Sequence, residues 1–357
     1  MEKTSSSFAA RPPRPILHEK HADGHRLWIL DQTLLPHASR WRELVCLAAA
    51  IRAIREMQVR GAPLIGVTAA YGVALAMTAD ASDANLTQAL AELAATRPTA
   101  VNLHWALRRM RARLAAIPPE TRGAVAWREA EAIAEEDAAQ NRAIGQHGLA
   151  LLETLPHPAT RPLTFMTHCN AGWLATVEQG TALAPIYAAH AKEIDLHVWV
   201  SETRPRNQGL LTAWELRQAG IPHTLVADNA AGFLMATGKV DVVMTGADRV
   251  AANGDVANKI GTFLKALAAR QYAIPFYVAA PSTTLDSDTP SGAEIPIEMR
   301  DDEELRWVCG SDEKTGFARL RQLPATEAAL NPAFDITPAD LVTALITEHG
   351  VSRGREN

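Results

Sequence analysis

The sequence predicts an α/β protein, mostly helical in its first part and built on a parallel sheet in its second. Two observations carry this. Up to about residue 155, apolar side chains recur at helical spacing, as in "RELVCLAAAIRAIREM" at 42–57. Beyond that point the period changes, and short apolar runs alternate with helix-length segments. The runs are "LTFMTH" (163–168), "DLHVWVSE" (195–202), "HTLVAD" (223–228), "VDVVMTGAD" (240–248) and "IPFYVAA" (274–280). Repetition of strand, helix and strand builds a parallel sheet with helices on both faces. Nearly continuous apolar strands suit a sheet buried on both sides.

The elements follow in order. Residues 1–20 read as a polar, proline-rich tail. "HRLWILDQTLLP" at 25–36 has strand character and ends in a turn signal. After the 42–57 helix comes "QVRGAPLIG", a loop punctuated by Gly and Pro. Small-residue helices then run over about 66–78 and 83–95. "TRPTAVNLHWALRRMRARLA" is a loop leading into another helix, and 122–154 is one long Ala-rich helix. This divides the chain into a tail (1–20), a helical domain (21–155) and a sheet domain (156–350).

Composition excludes several function classes. Hydrophobic residues make up 47% and charged residues 21% of the 357, and the net charge is −5. That is the profile of a soluble globular protein, with no electrostatic case for nucleic acid or an anionic membrane as partner. Cys46, Cys169 and Cys309 are far apart and odd in number, with no ligand spacing for a structural zinc. Neither a metal nor a disulfide framework is expected, which suits a reducing compartment. "MEKTSSSFAARPPRP" lacks a signal-peptide core, and "GVTAAYGVALAM" is shorter than a membrane span. A cytoplasmic location is the expectation.

In open α/β sheets, ligands bind beyond the carboxyl ends of the strands. Polar and reactive residues gather at those ends here. The first run is followed by His168-Cys169-Asn170-Ala171-Gly172, and the second by Thr203-Arg204-Pro205-Arg206-Asn207-Gln208. The third leads to Asp228-Asn229, the fourth to Asp248-Arg249 and "VAANGDVANKIGT", and the fifth to Ser282-Thr283. Cys169 alone could be a small buried side chain; placed after a strand, with Asn-Ala-Gly opening a helix, it is equally a reactive thiol of lowered pKa. Asp248 alone could be a turn residue. "NKIGT" could simply start an amphipathic helix. Small residues at helix starts together with Arg and Lys make an anion site, most often for phosphate.

Nine segments then appear in order: "VRGAPLIG", "RPTAVNL", "THCNAG", "ETRP" with a downstream "QG", "DNAAGFLM", "TGADRVAANGDVANKIGT", "PFYVAAPSTTLD" and "EIPIE". The set resembles the S-methyl-5-thioribose-1-phosphate isomerases, aldose–ketose isomerases of methionine salvage. Their wider superfamily includes regulatory subunits of initiation factor 2B. The resemblance runs from about residue 20 to 350. It implies a helical N-terminal domain, a Rossmann-like catalytic domain and a homodimer that uses no cofactor. By matching motifs it implies Cys169 and Asp248 as catalytic residues. It implies substrate contacts from Arg60, Gly61, Ala62, Arg97, Gln208, Asn258 and Lys259. The chain departs from the usual pattern in "SETRP", in a segment after it that is one residue short, and in Trp173, where a small residue is common. Trp173 either packs against the N-terminal domain or borders a pocket for the 5-substituent.

The implied substrate is a ribose 1-phosphate closed as a ring. The ring must open while the phosphate stays on C1, and hydrogen must move from C2 to C1 by proton transfer or hydride shift. Either route needs an acid for the ring oxygen and a base. Asp248, raised by apolar surroundings, and Cys169 are two suitable titratable groups. The alternatives are an isomerase for 5-deoxyribose 1-phosphate or ribose 1,5-bisphosphate, and a non-catalytic sugar-phosphate-sensing subunit.

Overall fold

The computed structural model describes residues 13–312 and 316–353. The chain begins with β1 (Ile16–His21), β2 (Gly24–Leu30) and β3 (Trp41–Glu43). The helices α1 (Leu47–Arg55), α2 (Ala62–Ala79), α3 (Asp83–Ala94), α4 (Val101–Leu114) and α5 (Pro119–Leu152) follow. The expected tail thus includes a strand from Ile16, paired antiparallel with β2, and its residues 1–12 lie outside the described ones. Alternation in this short stretch, Ile16 buried and Glu19 not, is too brief to stand out from sequence.

The second part runs β4 (Leu163–Thr167), α6 (Ala184–Ala191), β5 (Leu196–Ser201), α7 (Gln208–Gln218), β6 (His223–Val226), α8 (Ala230–Ala236) and β7 (Val242–Thr245). It continues with β8 (Arg249–Ala251), β9 (Val256–Lys259), α9 (Thr262–Gln271), β10 (Phe276–Ala279), β11 (Leu285–Asp286) and α10 (Glu303–Arg306). The last strands are β12 (Trp307–Asp312), β13 (Gly316–Arg321), β14 (Phe334–Thr337), β15 (Ala344–Thr347) and β16 (Gly350–Arg353). All five apolar runs become strands of one sheet, in the order β16-β15-β10-β7-β4-β5-β6. From β15 to β6 every neighbouring pair is parallel; β16 adds an antiparallel edge.

Alternate residues of these strands serve two separate cores. Phe165, Val242, Met244, Val198 and Tyr277 pack with α5, α6 and α7. Met166, Val243, Phe276 and Val278 pack with α8 and α9 on the other face. This is the period of two expected of a strand, with both faces apolar because both are covered. A third core joins α1 to α5 with β1 and β2.

Two helices depart from expectation. α5 enters two cores: Val125 to Ala138 belong to the helical one, and Ile144 to Leu152 pack under the sheet. α2 spans 18 residues of mean hydropathy 1.6, so it is long and apolar enough to cross a membrane, against the shorter stretch read from sequence. It is instead a core helix, 78% buried and packed by α1, α3, α4 and α5. Small residues at Ala69, Ala70, Gly72 and Ala74 let neighbours close on it from all sides.

Candidate active site

The strand order reverses at β4. The chain goes from β4 to β5 and β6 on one side, then returns to β7, β10 and β15 on the other. Adjacent strands whose connections run in opposite directions leave a crevice at their carboxyl ends. β4 and β7 are those neighbours, with Phe165 beside Val242. Cys169 follows β4 and Asp248 follows β7, so the topology brings the two together. The residues Arg60, Gly61, Ala62, Arg97, Cys169, Gln208, Asp248, Asn258 and Lys259 all line one cavity of about 110 Å³ there.

The local geometry around Cys169 is specific. Its backbone is left-handed, φ +63, unusual for a residue with a side chain. Its amide donates to Thr203 Oγ1 at 2.9 Å, and its carbonyl accepts from Thr212 Oγ1 at 2.8 Å. The next turns are held by Glu215 of α7. That buried carboxylate accepts from Asn170 Nδ2 at 2.8 Å, the amides of Trp173 and Leu174 at 2.9 and 3.1 Å, and the Tyr187 hydroxyl at 2.8 Å. His168 donates through Nε2 to the Ile260 carbonyl at 2.8 Å. Burial, with Lys265 nearby, pushes its pKa down to about 3, so the ring is neutral and structural.

The expected helix after Cys169 is not there. "AGWLAT" forms a bridge from Gly172 to Gly180 and one 3-10 turn at Trp173–Ala175, and α6 begins only at Ala184. The anticipated lowering of the thiol therefore does not occur. Burial raises the Cys169 pKa, and Arg60 and Lys259 offset part of the rise. Burial likewise raises Asp248, against the pull of Lys259, Arg300, Arg97 and Arg60. Both groups are shifted toward their protonated forms, as the sequence suggested for the aspartate.

Cations surround the pair. Arg60 sits just before α2, and among the described residues its buried Nη1 has no hydrogen-bond partner. Burial pushes its pKa down to about 10. Gly61 caps α2 at φ +91, where a Cβ would stand 2.3 Å from Ala175 Cα, so only glycine fits. The first turn of α2 carries no acidic residue. The helix therefore presents its positive end to the cavity. Arg97 Nη2 pairs with Glu298 Oε2 at 3.1 Å. Lys259 donates to the Ala333 carbonyl at 2.8 Å, and burial pushes its pKa down to about 8.

Lys259 and Asn258 do not open a helix. They end β9, the second strand of a hairpin with β8 turning through Asn253-Gly254. Asn-Gly between alternating apolar residues is a hairpin signal that sequence reading could have used. Arg204 and Arg206 lie outside the cavity, bonding the Leu305 carbonyl and Glu304. Trp173 also lies outside. It is 3% exposed and packs with Leu30, Leu35, Trp41 and Trp214, so the packing alternative holds and the pocket alternative falls. Apolar lining comes instead from Met57, Ile65, Ile295, Ile297 and Phe334. Arg300 and Phe334 were not anticipated; Arg300 comes from irregular chain after Glu298, which has no periodicity to read, and Phe334 opens the four-residue strand β14.

A family model described as the initiation factor 2 subunit family matches residues 58–354. A methylthioribose-1-phosphate isomerase from Dechloromonas aromatica is 63% identical, over 93% of this chain and 91% of its own. The crystal structure of 5-methylthioribose 1-phosphate isomerase from Pyrococcus horikoshii is 38% identical, with a TM-score of 0.80 over 96% of this chain and 92% of that one. A structure titled translation initiation factor eIF-2B, subunit delta, from A. fulgidus is 40% identical, with a TM-score of 0.78 over 95% and 96%. The chain thus belongs to the initiation factor 2 subunit family and, within it, to the methylthioribose-1-phosphate isomerases.

Proposed function

We propose that the protein is an aldose–ketose isomerase converting 5-methylthioribose 1-phosphate to 5-methylthioribulose 1-phosphate in methionine salvage. The observation that carries this is the meeting of two titratable groups, Cys169 and Asp248, with buried cations in one cavity at the switch point of the sheet. The cations hold the phosphate dianion and position the reacting carbons. Asp248, raised by burial, gives its proton to the ring oxygen as the C1–O bond breaks. Hydrogen then moves from C2 to C1, and Cys169, in the thiolate form that Arg60 and Lys259 favour, takes up the proton released on the C2 side. Gln208 and Asn258 orient the sugar hydroxyls. The apolar lining from Met57, Ile65 and Ile297 supports a 5-substituent without charge, since burying a second phosphate unpaired is costly.

Three features of the wider reading are also proposals. The helical and sheet domains divide at about residue 155, with the second Rossmann-like. The three free cysteines suit the cytoplasm. The protein is a homodimer, supported by exposed Phe233 on α8 and Leu264 and Leu267 on the adjoining α9.

The likeness to a chain titled as an initiation factor subunit favours a second reading, a sugar-phosphate sensor without turnover. One assay separates the two. Purified protein is given 5-methylthioribose 1-phosphate, 5-deoxyribose 1-phosphate and ribose 1,5-bisphosphate, and kcat/KM is measured for each. Turnover of the first two and little of the third is expected. Cys169→Ala and Asp248→Asn should each lose about 10²–10⁴-fold in kcat while still binding substrate. Binding without turnover by the unaltered protein would establish the sensor.

A further inference from the structure

We propose that Arg300 is a further substrate-binding residue, whose guanidinium, set on the Phe334 ring beside Lys259 and tied to Arg97 through Glu298, takes hold of the substrate's phosphate. The assignment rests on the sugar-phosphate reading of the site and adds a residue to it.

Backbone pairing fixes where Arg300 stands. Its amide donates to the Asn331 carbonyl at 2.9 Å, and the Ala333 amide donates to the Glu298 carbonyl at 2.9 Å. A bridge joins Met299 to Pro332 between them. The partner segment runs on into β14, where Phe334 pairs with Lys259 of β9. Arg300 and Lys259 therefore reach the same ring from two directions. Lys259 Nζ is 4.4 Å and Arg300 Cζ 5.7 Å from the Phe334 centroid.

The side chain of Arg300 is 8% exposed and lines the cavity. Among the described residues only its Nε has a hydrogen-bond partner, Glu298 Oε1 at 3.3 Å. The two terminal nitrogens are left for a ligand. Glu298 also serves Arg97, so one carboxylate is shared by two guanidiniums. Arg249 is spoken for by Asp286 at 3.1 Å. The four cations Arg60, Arg97, Lys259 and Arg300 then face two carboxylates, Glu298 and Asp248. The excess is three positive charges with Asp248 protonated and two when Asp248 or Cys169 is ionised, so a phosphate dianion offsets most or all of it. Buried charge of one sign is costly without a counterion. Stacking on Phe334 offsets only part of that cost. A planar guanidinium with free terminal nitrogens is suited to pairs of phosphate oxygens.

The competing role is a structural one, in which Arg300 only holds Glu298. Calorimetric titration with inorganic phosphate separates the two, using the unaltered protein, Arg300→Met, Arg300→Lys and Glu298→Gln. Arg300→Met should weaken phosphate binding about 10- to 100-fold, the loss of a charged hydrogen-bonding group. Arg300→Lys should fall between, since it keeps the charge. Glu298→Gln breaks the same ion pair but removes a negative charge, so phosphate binding should hold or tighten. In turnover, Arg300→Met should raise KM more than it lowers kcat. Unchanged phosphate affinity in Arg300→Met overturns the proposal, as does an equal loss in Glu298→Gln. Should Arg300→Met not fold, unchanged affinity in Arg300→Lys overturns it instead. Phosphate binding that depends on Arg300, in a protein that turns over no sugar phosphate, would sink the isomerase reading and leave this assignment standing.

Discussion

At the scale of single residues, desolvation governs the site. The cavity brings a thiol, a carboxyl and four cations out of water, and burial is the largest influence on Cys169, Asp248, Arg60 and Lys259 alike. Each is pushed toward its uncharged form. Lys259 gives the sharpest consequence. With its pKa pushed down to about 8, the free protein carries this cation below that pH and loses it above. Phosphate capture uses the cation, so kcat/KM should fall as pH rises through about 8. Bound dianion raises the lysine again, so kcat should hold to higher pH. Lys259→Arg should carry the alkaline limb of kcat/KM upward. A pH–rate profile of both forms checks this, and a limb that does not move excludes Lys259 as its source. The stability sign is opposite: between about 8 and the ordinary lysine value of 10.5 the unfolded chain binds more protons, so the lysine's contribution to stability rises with pH.

At the scale of elements, the site depends on close approach between turns. Gly61 caps α2 against the 3-10 turn that follows Cys169, and its positive φ and the 2.3 Å approach to Ala175 leave no space for a side chain. Gly61→Ala should therefore push the α2 start and the Trp173–Ala175 turn apart, costing about 1–3 kcal/mol of stability. Arg60 precedes the displaced cap, so KM should rise with it. A denaturant melt together with KM tests this; an unaffected melt would mean that the turn gives way freely. The family resemblance named Arg60, Gly61 and Ala62 as substrate contacts, where the residues alone read as a loop punctuated by Gly and Pro. The reason for the glycine was not legible, because Ala175 lies more than a hundred residues away. Separation in the chain likewise hid Glu215, whose four acceptor bonds hold the Cys169 loop from α7 and which lies 41 to 45 residues from Asn170, Trp173 and Leu174. A single Glu in an amphipathic helix reads as a solvated one.

At the scale of the whole molecule, the arrangement is a sheet whose carboxyl edge meets a helical layer. α5 stitches the two by serving both cores, and Asn102 of α4 donates to Thr283 Oγ1 at 3.0 Å across the junction. Arg60 and Arg97 come from the helical layer, and Cys169, Asp248 and Lys259 from the sheet side, so the cavity exists only while both are docked. The exposed apolar residues on α8 and α9 belong to this scale too. Phe233→Asp combined with Leu264→Asp should convert the proposed dimer to monomer, because charge on a buried apolar contact is costly. Sedimentation velocity on both proteins is the check, and a single monomeric species for the unaltered protein would remove the dimer.

By itself the sequence determined the kinds of element and the inventory of the site. Helical and strand periodicities were strong enough to mark the five apolar runs and the long α5, although the edge strand β6 is not buried. The family resemblance named nine residues that share one cavity, five of them in the sheet part and four in the helical part. These are local properties, written in the spacing and chemistry of neighbouring residues. Tertiary structure alone decided that β4 lies beside β7 and so brings Cys169 to Asp248. It decided that the thiol is raised rather than lowered, that Trp173 packs away from the cavity, and that Arg300 from irregular chain and Phe334 from the start of β14 join it. Strand order and desolvation depend on contacts between residues far apart in the chain, and no local period carries them.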